Sequence, residues 1–148
     1  MAGPVRFAFD TSCIVSLLCE WHERHRETAA GFESRLRRGE RLVVPQHALF
    51  EAYSVLTRLP APLRVTPQIA HAILIHYFGE GRAEIAGVSP ERCWDLIGGV
   101  AKRGVAGGAA YDAVIADCAF DAGARVLLTW NIRDFLRVAP ASLRVAEP

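Results

Sequence analysis

Lysine is almost missing from this chain. Lys102 is the only one among 17 basic residues, and the other basic residues are arginine. With 16 acidic residues the formal net charge is +1, which removes the case for a strongly basic nucleic-acid binder while leaving room for a local arginine patch. The bias to arginine agrees best with a GC-rich genome favouring arginine codons, and it is compatible with forked guanidinium groups that suit phosphates. Paired cysteines are missing too. Cys13, Cys19, Cys93 and Cys118 show no C-x-x-C spacing and no neighbouring histidine pair, so neither a zinc site nor a disulfide framework is indicated. No window approaches the about 18 consecutive apolar residues of a spanning helix. The opening MAGPVRFAFDTS reaches an acid after a short apolar run, so a cytoplasmic protein is expected. Internal repeats, linkers and low-complexity stretches are also lacking. What is present is a chain of 148 residues that is 51% apolar, enough to bury a real core, and one domain over residues 1–148 is expected.

Its segments alternate. Val5 to Phe9 is a β-prone apolar run ending at Asp10, and Thr11 and Ser12 offer helix-start chemistry for CIVSLLCEW. A charged surface helix is expected from His22 to Arg38, with Ala29, Ala30, Phe32 and Leu36 as a thin apolar stripe closed by Gly39. Arg41 to Val44 reads as a second strand. The pattern QHALFEAYSVLTRL from Gln46 is helical until LPAPLRVTP interrupts it with three prolines. A helix follows over about Pro67 to Phe78, then a third strand over Glu84 to Val88 and a helix from Ser89 through Val100. A glycine-bearing loop leads to a helix over Ala110 to Ala122. Arg125 to Thr129 is the strongest strand signal, and Leu143 to Val145 a last short one. Such alternation predicts an α/β fold with a parallel sheet covered on both faces, in which ligands gather at the carboxyl ends of the strands.

Asp112 demands a chemical explanation. Stepping about 100° per residue puts Ile115, Ala116 and Ala119 on its face of the helix, with Asp117 and Asp121 on the solvated side. A buried carboxylate needs a cation, donors or a shifted pKa. Asp10 stands at the end of the first strand; it could cap the next helix, but Thr11 and Ser12 can do that work and leave it free. Glu51 lies on a helix whose apolar side is Pro45, Leu49, Ala52, Tyr53 and Leu56, with His47, Ser54 and Arg58 near it on a narrow polar stripe. Asn131 and Asp134 have the spacing of an N-cap and the third helical residue, so structure alone could account for both. His47 and the remaining histidines read as structural or solvated. Together the acids say more than each alone: converging carboxylates repel by about 4 kcal/mol per close pair at an effective dielectric of 20, and an all-oxygen set suits Mg²⁺ or Mn²⁺. Such a site activates water for displacement at phosphorus.

In this order the motifs resemble those of the PIN-domain nucleases, in particular the VapC-like toxins of bacterial toxin–antitoxin modules. FDTSCIVSLL resembles the first-acid motif and assigns Asp10, PQHALFEAYSVLTRLPAPLRVTP the second-acid helix with Glu51, YDAVIADCA the third with Asp112, and LLTWNIRDF the closing motif. The resemblance spans nearly the whole chain. It implies a three-layer α/β/α sandwich with a mainly parallel sheet of about five strands, and a Mg²⁺- or Mn²⁺-dependent endoribonuclease that uses a metal-activated water. Asp10, Glu51 and Asp112 would be catalytic and metal-binding residues. Many members carry an aspartate where Asn131 stands, so Asn131 and Asp134 share the expectation of a further ligand. Thr129 and Ser12 would orient the acids, and Arg58, Arg64, Arg133 and Arg137 would hold the RNA backbone. Implied partners are structured RNA of the tRNA or ribosomal class, an antitoxin that blocks the acidic cleft, and a second copy in a homodimer.

Two rival readings remain open from the residues. A receiver-type or phosphatase-like phosphoryl-transfer domain also gathers aspartates at strand ends, but Asp10-Thr11-Ser12 lacks a D-x-D pair and Lys102 does not follow a late strand. A catalytically weak PIN-like binding module is kept open by Asn131.

Overall fold

In a computed structural model, which describes residues 2–148, the centre is a five-stranded all-parallel sheet ordered β3-β2-β1-β4-β5. The strands are β1 (Arg6–Phe9), β2 (Arg41–Pro45), β3 (Glu84–Ala86), β4 (Ala124–Leu128) and β5 (Arg144–Ala146). The helices are α1 (Thr11–Leu18), α2 (His25–Arg37), α3 (Gln46–Arg58), α4 (Pro67–Phe78), α5 (Cys93–Lys102), α6 (Ala109–Asp121) and α7 (Ile132–Leu136). The expected α/β sandwich with a parallel sheet of five strands is present.

The three central strands carry no alternation of apolar and polar residues because helices cover both faces. Phe7, Ala8, Phe9, Leu42, Val43, Val44, Leu127 and Leu128 are all essentially inaccessible. Burying a side chain of the size of Phe or Leu contributes about 1.5–3 kcal/mol, so β1, β2 and β4 are where the core is anchored. From α1, Cys13, Ile14 and Leu17 pack into it, and from α6, Ala113, Ile115, Ala116 and Ala119. The small alanines let α6 lie close to the sheet.

Local chemistry sets the element ends. Thr66 caps α4 by accepting from the Ile69 amide, with Pro67 in the first turn. Gly39 and Gly123, with φ of 78° and 81°, follow the ends of α2 and α6 and turn the chain into β2 and β4.

Several expectations require correction. The segment before α2 is not helical: the helix begins at His25, and its buried residue is Thr28, while Ala30 and Leu36 are exposed. The helix expected from Ser89 starts as a single 3₁₀ turn over Pro90–Arg92, and Ser89 makes no side-chain cap. On α3 the buried side is Ala48, Ala52 and Leu56, with Tyr53 exposed. Asp117 is not solvated: its side chain is only 17% exposed and faces Arg103 across 3.7 Å, while Asp121 pairs with Arg92 at 2.8 Å.

β1 lies between β2 and β4, so connections leave it toward both sides of the sheet. The crevice that forms where strand order reverses opens at the carboxyl ends of β1 and β4. Asp10 follows the first of these ends and Thr129 the second.

Candidate active site

Asp10 is 1% exposed and is held by three donors. Ser12 Oγ (2.7 Å) and the Cys13 amide (2.9 Å) donate to Oδ1, and Thr129 Oγ1 (2.5 Å) donates to Oδ2. The Cys13 bond makes Asp10 itself the N-cap of α1, so Thr11 and Ser12 do not relieve it of that role. Instead Ser12 serves the carboxylate, and capping and acid placement are one arrangement. A carboxyl has about four acceptor positions, and three are used. Burial pushes the Asp10 carboxyl above its ordinary range, and the bonds from Thr129, Cys13 and Ser12 pull it back.

The hydroxyls are themselves oriented by backbone. Thr129 Oγ1 accepts from the Asn131 amide at 2.8 Å, and Ser12 Oγ accepts from the Trp130 amide at 3.0 Å. Each hydroxyl therefore has its proton directed at Asp10. The loop after β4 is thereby fastened to the first acid.

Asp112, in the first turn of α6, is half-buried. Its carboxyl is raised to about 6, first by burial, then by the negative charges of Glu51, Asp134 and Asp10, with His47 opposing. Four acids from α3, α6, α7 and the end of β1 thus share one electrostatic neighbourhood. Glu51 is 40% exposed, and its Oε2 lies 3.7 Å from His47 Nε2. His47 is not a lone residue: its ring stacks on Tyr111, centroids 4.7 Å apart and planes 3° from parallel, which ties α3 to α6 beside Asp112.

Asn131 stands at the N-cap position of α7 without a side-chain capping bond. Its amide group is exposed, as is Asp134, so helix capping does not account for either side chain. Among the described residues, no three of His, Cys, Asp and Glu stand close enough together to enclose a metal ion; the acids influence each other across a gap. The donor set nevertheless fits a hard divalent cation. It is all oxygen, and it carries a concentration of like charge that a cation offsets.

The predicted arginines distribute unevenly. Arg133 is exposed on α7 beside Asn131, and Arg137 is exposed at the end of the same helix. Arg58 ends α3, and Arg64 donates to the Leu59 carbonyl at 2.8 Å, committed to its own loop. Closer to the acids is Arg24, which no sequence spacing connects to them. It lines a cleft of about 470 Å³ together with Glu51, Trp130 and Asn131. No described helix is long and apolar enough to cross a membrane.

Residues 7–140 match the PIN domain family. The chain is 38% identical over 124 residues to ribonuclease VapC40 of Mycobacterium tuberculosis, covering 84% of this chain and 85% of that protein. It is 35% identical over 109 residues to ribonuclease VapC27 of the same species, covering 74% and 73%. Among solved structures, VapBC2 from Rickettsia felis, bound to a DNA fragment from its promoter, superposes with a TM-score of 0.68 at 18% identity, over 97% of this chain and 99% of that one. By the extent of the family match and by its similarity to the two ribonucleases, the chain belongs to the PIN-domain family, in its VapC-like branch.

Proposed function

We propose that this protein is a divalent-metal-dependent endoribonuclease, the toxin of a toxin–antitoxin module. The observation that carries this reading is the position of Asp112, whose carboxyl is raised first by burial and then by the charges of Glu51, Asp134 and Asp10, near the carboxyl ends of β1 and β4. Support comes from two ribonuclease relatives above 30% identity and from divalent-metal dependence as a general property of the family. Asp10, Glu51 and Asp112 would hold the cation, Mg²⁺ with Mn²⁺ as a substitute, and Asn131 or Asp134 would complete the set.

A bound cation would supply a water of lowered pKa and neutralise charge on the phosphate. The chain's own residues do the rest. Ser12 and Thr129 hold the Asp10 carboxyl in place by donating to it, and those bonds oppose the effect of burial on its charged form. The His47–Tyr111 stack ties α3, which carries Glu51, to α6, which carries Asp112. Arg133, two residues after Asn131 on α7, would meet an RNA backbone approaching that residue, and Arg58, Arg64 and Arg137 are assigned to the same backbone.

The substrate would be structured RNA of the tRNA or ribosomal class, cut in the cytoplasm. Exposed apolar side chains such as Phe50 (68%) and Trp94 (79%) supply surface for protein partners, which we assign to a cognate antitoxin and a second copy of the chain. The test is a digest of total RNA by purified, antitoxin-free protein with Mn²⁺, the ends mapped by sequencing. Discrete cleavage sites that vanish with chelator are expected. An intact RNA pool, with tight binding of a protein partner, would make this a binding module instead.

A further inference from the structure

The cleft beside the acids has a wall that the metal chemistry does not use. Trp130 is half-buried, and its indole Nε1 donates to Thr28 Oγ1 at 2.9 Å. Thr28 is fully buried and lies 2.7 Å from Ser16 Oγ, while its own hydroxyl donates to the Arg24 carbonyl at 2.9 Å. The Arg24 guanidinium covers the Trp130 ring at 4.6 Å from its centroid. The Trp130 amide donates to Ser12 Oγ, which donates to Asp10. One hydrogen-bonded chain therefore runs from the first acid to a fixed, flat, cationic wall.

The cleft this wall bounds is about 470 Å³, within the roughly 300–1,000 Å³ of small-ligand sites. Val15 and Val55 give it an apolar side, and His22, Glu23 and Asn131 bring polar groups to it. Thr11 lines it as well, and the Thr11 hydroxyl oxygen is buried with no hydrogen-bond partner among the described residues.

We propose that this cleft seats one unpaired nucleobase of the RNA, next to the phosphate addressed by the acids, stacked against the Arg24–Trp130 wall. The proposal rests on the ribonuclease reading and adds to it where sequence preference arises. A splayed base has what the cleft requires: a π-face for the guanidinium plane, and donors and acceptors on its edge for Asn131 and Glu23. An arginine side chain from a protein partner fits less well, because it would meet the Arg24 guanidinium on the wall itself.

The test separates base binding from cleavage. In chelator, the protein is titrated with the four RNA homotrinucleotides while the indole N–H signals of Trp21, Trp94 and Trp130 are followed by NMR, that of Trp130 assigned by its loss in Trp130→Phe. The Trp130 signal should move with one trinucleotide more than with the others, and Arg24→Ala should weaken that binding about ten-fold. Arg24 makes no side-chain cap on α2, and its ion pair there, with Glu27 at 3.3 Å, is solvent-exposed, so its removal costs that helix little. With Mn²⁺, Arg24→Ala should still cut RNA but with an altered base preference at the cut. If the wild type cuts nothing while Trp130 still reports a trinucleotide, the ribonuclease reading fails and the base site stands. An unmoved Trp130 signal, or Arg24→Ala with unchanged affinity and preference, would overturn the proposal. So would a response to an arginine-containing peptide alone, which would make the cleft a protein-binding site.

Discussion

Thr129 Oγ1 gives its proton to Asp10 Oδ2 and accepts the amide of Asn131. Between them, these two residues join the carboxyl ends of adjacent strands β1 and β4 to the loop that carries Asn131. A hydroxyl at this position is both a support for a buried carboxylate and a clamp on the loop.

Thr129→Val removes the donor while keeping the shape. Activity should fall about 10–100-fold, the usual consequence of losing a partner that orients a ligand, and unfolding free energy by about 1–3 kcal/mol because a buried carboxylate loses a bond. Thr129→Ser should recover most of both. Cleavage rates and urea unfolding of the two variants check this.

Asp112 makes the metal-free protein sensitive to pH. Between the ordinary carboxyl value of 3.8 and about 6, the folded protein keeps a proton that the unfolded chain has released. Its contribution to stability therefore falls as pH rises through that window and stays reduced above it. Asp112→Asn, in chelator at pH 7, should melt at a higher temperature than the wild type and lose that part of the pH dependence, yet have no cleavage activity. Thermal melts from pH 4 to 8 test the sign.

Asn131→Ala should leave stability within about 0.5 kcal/mol of wild type, since the side chain is exposed and makes no cap, but weaken Mn²⁺ binding. Asn131→Asp should do the reverse: tighter Mn²⁺ binding, and a metal-free protein less stable at pH 7 from the added negative charge near Asp112. Calorimetric titration with Mn²⁺ measures both.

The elements most legible in the sequence were those with punctuation at both ends. Helix α4 runs from Pro67 to Phe78 as expected, between a proline and Gly79, and the continuous apolar runs of β1, β2 and β4 announced a sheet buried on both faces. Short edge strands such as β3 have only three residues, so their limits depend on pairing with a neighbour. Asp117 was misread because its partner, Arg103, comes from beyond the end of another helix. Asp10 was visible as an acid at a strand end, Asp112 as one on an apolar helix face and Glu51 as one on a narrow polar stripe. The contribution of Trp130 and Arg24 was not, because they are 106 positions apart and meet only through the fold.

Metal-dependent cleavage through Asp112 is decided by the cutting rate of one end-labelled oligoribonucleotide containing a mapped site, measured for wild type and Asp112→Asn, each with Mn²⁺ and after chelation. Cutting by the wild type with metal alone is the predicted result. Cutting at the same position by the chelated wild type, or by Asp112→Asn at an undiminished rate, would contradict it.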